Sequence, residues 1–503
     1  MGAFMAKTSK FLRQAFACEP DTTSDERVLR HPYKNPLLLR YAFVTARVGS
    51  SLFMIPSWIW KYRHPDSRAR PSWTLAQAVY VDFIRRVQGI TELAGVQFGT
   101  RDVTRAPTEE LKETRFEWIK GLKKDWTSGV LADKIVKPMK RVGTFVWEQQ
   151  ADSLSVSSAS ADSTKGGKIG IYLHGGGYTH FSAHEEAQTS IIPRRLMKSG
   201  NFESIYAVEY RLLPNFPFPA ALQDAATVYC DLILRKGIDP NKVILIGDSA
   251  GGNIALALCR WIRLEQKVAM PGGMILLSPW CDPAHSFPET VSSYVPRPNP
   301  EDYLADEPAG RILLVASLLG HHPRDYVSDP YISPASQLGP HGCFSKYPQT
   351  FIHYSDAERL QKEIEQLAAG MLRDKVDVNV LLTKDGVHDL LMFKYWNETV
   401  RDHVWDHIYG WLDGKRGEGR QGLPDPAELK CERVTEDTNV TTPKRNRSGT
   451  TSSIKSIFHD RFRMKRTKSD NLVPHQHDDD EEDDHSGDDS GKPMAKATVE
   501  MRE

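Results

Sequence analysis

Val243-Ile244-Leu245-Ile246-Gly247-Asp248-Ser249-Ala250-Gly251-Gly252-Asn253 carries four β-favouring aliphatics into a glycine-flanked serine and on into a helical pattern of Ile254, Leu256, Leu258 and Ile262. Strand, sharp turn and helix in that order hold a serine hydroxyl out at the end of a strand, where a substrate can reach it. Glycines at 247 and 251 relieve the crowding of such a turn, and the following helix aims the positive end of its dipole at the site. A G-x-S-x-G string alone is weak. In this context it reads as a nucleophile, Ser249, rather than as a structural turn.

Upstream, the short apolar run Ile169 to Leu173 ends in His174-Gly175-Gly176-Gly177. Attack on an acyl carbon creates an oxyanion, which needs N–H donors already in place. Gly176 and Gly177 are the expected donors, with Gly175 shaping the turn and Ala250 donating from the serine turn. The competing reading of the glycine loop, a phosphate cradle, lacks the lysine followed by Ser or Thr that it requires. Serine also needs a base, and on a sheet of this kind the order is serine, acid, histidine. Gly386-Val387-His388-Asp389 follows the alternating run Val376, Val378, Val380, which makes His388 the expected base among 17 histidines. Phe351-Ile352-His353-Tyr354-Ser355-Asp356-Ala357-Glu358 offers two carboxylates. Glu358 is favoured, and Asp356 remains the competitor, with capping of the next helix as its alternative job.

Around these motifs strands and helices alternate, the signature of a mostly parallel α/β sheet with helices on both faces. Strands are expected at Arg141 to Trp147 (opening the sheet), Ile169 to Leu173, Ile205 to Val208, Val243 to Ile246, Met274 to Leu277, Thr350 to Tyr354 and Val376 to Thr383. Helices are expected after Phe218, Ser249, Ser355 and Glu398, and throughout Trp73 to Val130, where Val79, Val81, Phe83, Ile84 and Val87 recur among polar residues. Ala151 to Gly167 reads as a loop. The Pro-rich stretch 281–341 breaks the rhythm and reads as an insertion over the active site. The implied division is an apolar, cap-forming region at 1–130, a catalytic domain at 131–415 and a charged tail at 416–503.

The chain has 503 residues, and its 65 basic and 65 acidic side chains cancel, so net charge gives no reason to expect a nucleic-acid partner. Six scattered cysteines match neither a zinc site nor a dense disulfide framework and read as mostly reduced. Lys7, Lys10 and Arg13 interrupt the start, which lacks the apolar core of a cleavable signal, and Gly2 is not followed by Ser or Thr at position 6. The most apolar stretch, Leu37 to Trp60, is long enough for a bilayer but is broken by Arg40, Arg47 and Pro56. Cations on both sides give no orientation. Two readings stand for it: a buried or cap-forming helix, or an inserted or interfacial membrane segment. The second places the protein at the endoplasmic reticulum or another lipid surface, the first in the cytoplasm. Past Gly414 the tail reads as disordered; Ile454, Ile457, Phe458 and Phe462 among basic residues have the spacing of a membrane-surface helix, and the favoured alternative is a solvated polyampholyte that partly neutralises itself. Sequons lie at Asn397, Asn439 and Asn446.

From about Lys168 to Trp411 the sequence resembles the hormone-sensitive-lipase-like branch of the α/β-hydrolases. The strings that carry the resemblance are His-Gly-Gly-Gly at 174–177, Gly-Asp-Ser-Ala-Gly-Gly at 247–252, Tyr210-Arg211-Leu212-Leu213-Pro214, Phe218-Pro219-Ala220-Ala221-Leu222 with Asp224, and Leu277-Ser278-Pro279-Trp280. The resemblance implies an α/β-hydrolase fold, the triad Ser249, Glu358 and His388, no metal and no organic cofactor. It also implies esterase, lipase or deacetylase chemistry. Aligning the family's acid segment on Leu360 again selects Glu358. Leu213 and Asn215 stand where the family has alanine and glutamate, which implies altered support of the oxyanion loop. The long N-terminal part and charged tail look like those of fungal members similar to membrane-associated steryl acetyl hydrolases.

Together these readings point to a serine carboxylic-ester hydrolase acting on a lipophilic ester through an acyl-enzyme. Two rivals come from other classes. One is a ligand-binding protein on a hydrolase fold, whose sign would be loss of the histidine. The other is a membrane-tethered protein whose tail recruits partners.

Overall fold

A computed structural model of the protein describes residues 36–149, 167–286, 294–306, 308–336 and 344–415. Eight strands form one sheet: β1 (Thr114–Lys120), β2 (Arg141–Glu148), β3 (Lys168–Leu173), β4 (Phe202–Glu209), β5 (Val243–Asp248), β6 (Gly273–Leu277), β7 (Gln349–Ser355) and β8 (Val378–Thr383). Their spatial order is β1-β2-β4-β3-β5-β6-β7-β8. β2 runs antiparallel to both neighbours, and every later pairing is parallel.

The period of two in the central strands builds two cores. Val243 and Leu245 point into one, with helices α5 (Ala220–Cys230), α6 (Ala250–Glu265) and α8 (Gln361–Arg373); Ile244 and Ile246 point into the other, with α4 (Ile191–Lys198) and α9 (Glu398–Leu412). Strands covered on both faces need apolar residues at both parities, which is why they read as unbroken aliphatic runs. The parallel strands end on the same edge of the sheet. That edge receives the loops after β3, β5, β6, β7 and β8, where open α/β sheets place their ligands.

The N-terminal part forms α1 (Leu37–Leu52), α2 (Ile55–Tyr62) and α3 (Leu75–Ala94). Trp58, Tyr62, Trp73, Ala78 and Val81 pack against Val387, Leu390, Phe393 and Trp396, so these helices lie directly on the loop that carries His388. No single helix among the described residues is long and apolar enough to cross a membrane, although α1 and α2 together, bent by 41°, have the length and composition.

Four sequence expectations change. The helical reading of Trp73 to Val130 holds only through Ala94, because Phe116 and Trp118 alternate with Arg115 and Glu117 in an edge strand, β1. β1 pairs with β2 along its whole length, so Arg141 to Trp147 is the second strand of the sheet rather than the opening one. The insertion 281–341 contains a helix, α7 (Pro308–Leu319), whose apolar residues the prolines around it obscured. The helix after Ser355 begins only at Gln361, leaving Asp356 to Leu360 as a turn. Cys230, Cys259 and Cys281 are buried and unpaired. Cys18, Cys343, Cys431, the loop at 151–166, the tail at 416–503 with its basic-apolar segment, and the sequons at Asn439 and Asn446 lie outside the described residues.

Candidate active site

Ser249 stands at the β5–α6 junction with φ 49° and ψ −116°, a conformation costly for any residue with a side chain. The neighbouring backbone forces it. A Cβ on Gly251 would lie 1.8 Å from the Leu173 carbonyl oxygen, and the Ser249 N–H donates to the Leu277 carbonyl at 2.9 Å. Held this way, Ser249 Oγ lies 3.0 Å from His388 Nε2.

His388 is buried, and its Nδ1 faces Glu358 Oε2 at 3.6 Å, a charge contact rather than a hydrogen bond. Glu358 is fully buried and accepts from the Ser278 hydroxyl at 2.7 Å. Burial pushes its carboxyl up to about 7, against the pull of His388 and Ser278. Asp356 does not approach the imidazole by any hydrogen bond or ion pair among the described residues. Its Oδ1 accepts from the Asp385 N–H at 2.6 Å, so it braces the turn before His388 and does not cap α8, whose N-cap is Leu360.

Two further carboxylates complete the setting, and neither had an assigned role in the sequence. Asp302, from the insertion, accepts from the backbone N–H groups of His388 (3.2 Å), Tyr303 (2.8 Å) and Arg359 (2.9 Å), tying the base and acid loops together. No motif marks it, because two of its three partners, the Arg359 and His388 N–H groups, are backbone donors more than fifty residues away. Asp389 places Oδ2 3.2 Å from His388 Nε2, on the side facing Ser249. Burial lowers the His388 pKa, but the carboxylates of Asp389 and Glu358 outweigh it and hold the imidazole well above its ordinary value.

The glycine loop is fixed from beneath. Asp248 accepts from the Gly175 N–H at 2.9 Å and from the Tyr172 hydroxyl at 2.7 Å, so the Gly175 donor is already used. Gly176 (φ 101°) and Gly177 (φ 60°) line the pocket beside Ser249. The Tyr178 carbonyl accepts from the Leu213 N–H at 2.8 Å. Because this support comes from the backbone, Leu213 supplies it as alanine would. The Asn215 side chain, which points to solvent, adds none.

The pocket over Ser249 has a volume of about 250 Å³. Ile84 and Val87 of α3, Leu313 and Leu314 of α7, and Phe181, Trp280 and Phe393 give it an apolar wall, so the N-terminal helices and the insertion together form the cap. Among the described residues the one cluster able to hold a metal ion, Asp133, His321 and His322, does not line it.

Residues 170–392 match a family model described as alpha/beta hydrolase fold. The chain is 27% identical to an acetyl-hydrolase of Streptomyces hygroscopicus over 257 residues, covering 51% of this chain and 73% of that protein. It is 28% identical to the esterase LipU of Mycobacterium tuberculosis, covering 46% and 71%. A solved structure of the HSL-homolog EstE7 from a metagenome library aligns over 67% of this chain and 97% of that one, with a TM-score of 0.45 and 21% identity. Over the matched residues the chain has the α/β-hydrolase fold, and its HGGG and GDSAGG strings, on the loops that meet at Ser249, resemble those of the hormone-sensitive-lipase-like branch.

Proposed function

We propose that this protein is a serine carboxylic-ester hydrolase with Ser249, His388 and Glu358 as its triad. The observation that carries the reading is the strained Ser249, its hydroxyl 3.0 Å from a buried imidazole and beneath a glycine loop. His388 Nε2 takes the Ser249 proton as Oγ attacks the ester carbonyl carbon. The N–H groups of Gly176, Gly177 and Ala250 hold the resulting oxyanion. His388 then protonates the departing alcohol, leaving an acyl-Ser249. Water, deprotonated by His388, releases the acid and restores the serine. Glu358 keeps the proton on Nδ1, so that Nε2 offers its lone pair to Ser249.

The apolar pocket wall supports a lipophilic ester, with an acetylated sterol or an acylglycerol as the expected class. Ser249→Ala should lower ester turnover by about 10³ to 10⁶-fold and abolish covalent labelling by a fluorophosphonate. Unchanged turnover by purified Ser249→Ala protein would sink the proposal. A panel of esters varied in acyl and alcohol parts would define the substrate.

For location, the proposal is a lipid surface. α1 and α2 turn one side to the pocket-bearing domain, while Leu38 (81%), Phe53 (79%) and Trp60 (69%) are exposed on the other. Between residues 36 and 70 stand Arg40, Arg47, Lys61, Arg63, Arg68 and Arg70 against a single carboxylate in that span, Asp66, with Lys61 also paired to Asp82 and Arg70 to Glu301 and Asp385. Exposed apolar and aromatic side chains among cations suit the headgroup region of an anionic bilayer. Because α3 both packs on these helices and lines the pocket, a lipophilic substrate would have a short path from the lipid.

A further inference from the structure

We propose that Asp133, His321 and His322 form a binding site for a zinc ion that clips the cap helix α7 to the body of the domain. Asp133 lies between β1 and β2. His321 and His322 directly follow the last residue of α7 and Gly320, whose positive φ of 59° ends the helix. Two imidazole nitrogens and one carboxylate oxygen are a donor set that zinc prefers, with a fourth position left for water.

The three ligand atoms already converge, all lying within 4.8 Å of one another. His321 Nε2 is 2.9 Å and His322 Nε2 4.0 Å from Asp133 Oδ2. Tetrahedral ligands bonded at about 2.0–2.1 Å sit roughly 3.3 Å apart, so the two histidine–carboxylate gaps need to change by only about half an ångström or slightly more.

Two of the three ligands, Asp133 and His322, are also oriented by a second contact, as metal ligands usually are. Asp133 Oδ1 accepts from the N–H groups of Ile135 (2.7 Å) and Val136 (2.6 Å), which turns Oδ2 toward the histidines. The His322 ring stacks on Tyr326 at 4.5 Å and 14°, and its hydrogen bond goes to the Phe218 backbone. That leaves Nε2, buried and with no hydrogen-bond partner among the described residues, aimed at the carboxylate. An unpartnered buried imidazole nitrogen costs free energy unless something binds it.

The two halves of the site belong to parts that must stay together for a shaped pocket. The Asp133 loop is pinned to the core by Gln223, whose side-chain amide donates to the carbonyls of Leu131 (3.0 Å) and Val136 (2.8 Å). α7 carries Leu313 and Leu314 in the pocket wall. An ion bridging them would fix the cap without entering the chemistry at Ser249.

The test is equilibrium dialysis of the full chain against zinc, compared with Asp133→Asn and His322→Gln. Asparagine retains the oxygen that accepts from Ile135 and Val136, so Asp133→Asn should fold as the parent does. Other groups will bind zinc too, notably His403 and His407 on α9 and His475 and His477 beside the acidic run of the tail. The comparison is therefore made in a chain already carrying Gln at those four positions. The expected result is one bound ion per chain, lost in both variants, and a zinc-dependent rise in melting temperature that the variants lack. Equal stoichiometry and equal melting response in parent and variants would overturn the site. A second readout tests the clip: chelation or Asp133→Asn should raise KM several-fold for bulky esters while leaving kcat for a small acetate ester unchanged. Binding and melting do not depend on turnover, so failure of the zinc site and failure of the esterase reading are separable.

Discussion

Asp389 and Ser249 face the same nitrogen of His388, at 3.2 and 3.0 Å. The carboxylate favours the imidazolium, whereas catalysis needs the neutral ring, so activity rises as pH climbs through the His388 pKa. Removing one charge at this distance should move the lower limb of the kcat/KM profile of Asp389→Asn toward acid by about one to three pH units. An unmoved limb would mean that Asp389 is electrostatically silent. The acid assignment has its own discriminating pair. Glu358→Gln removes the charge facing Nδ1 and should cost about 10² to 10⁴-fold in kcat, as loss of a triad acid does. Asp356→Asn keeps an oxygen for the Asp385 N–H and should stay near the parent rate; the reverse pattern would exchange their roles. Ser249, His388 and the glycine loop were legible in the sequence because each closes a strand at a fixed place in the chain order. Asp302 was not legible, since its role depends on backbone donors that only folding brings to it.

At the scale of elements, the N-terminal helices behave as part of the catalytic domain. Trp58 is buried against the residues that follow His388, and the Trp73 indole donates to the Asp385 carbonyl at 2.7 Å. Trp58→Ala should therefore destabilise the domain by about 3–5 kcal/mol, read as a lowered midpoint in thermal or urea unfolding. Trp60→Ala, two residues on but on the exposed face, should change stability by no more than about 0.5 kcal/mol. Equal losses would contradict the orientation of α2. Nothing in the sequence separates these two tryptophans, because an unbroken apolar run marks no single helical face, although residues two apart lie on opposite sides of a helix. It likewise concealed β1, where a short edge strand with alternating charges and aromatics is read as part of a helical region.

For the whole molecule, the apolar and cationic face of α1 and α2 leads to a prediction about partitioning. Replacing Leu38, Phe53 and Trp60 together by serine should weaken binding to vesicles of mixed zwitterionic and anionic lipid by at least about tenfold, since each buried apolar side chain contributes roughly 1.5–3 kcal/mol. Hydrolysis of a soluble short ester should be unaffected. Equal flotation of parent and variant with vesicles would exclude this face as the docking surface. The sequence by itself determined the sheet from β2 to β8, the serine turn, the histidine that faces it and the glycine loop, because strand periodicity and turn chemistry are local and are written in consecutive residues. Only the tertiary structure decided that Glu358 rather than Asp356 faces the imidazole, that α3 and α7 close one pocket, and that Asp133 meets His321 and His322. Those contacts join groups far apart in the chain, whose distance and orientation are set by the packing of the elements that carry them.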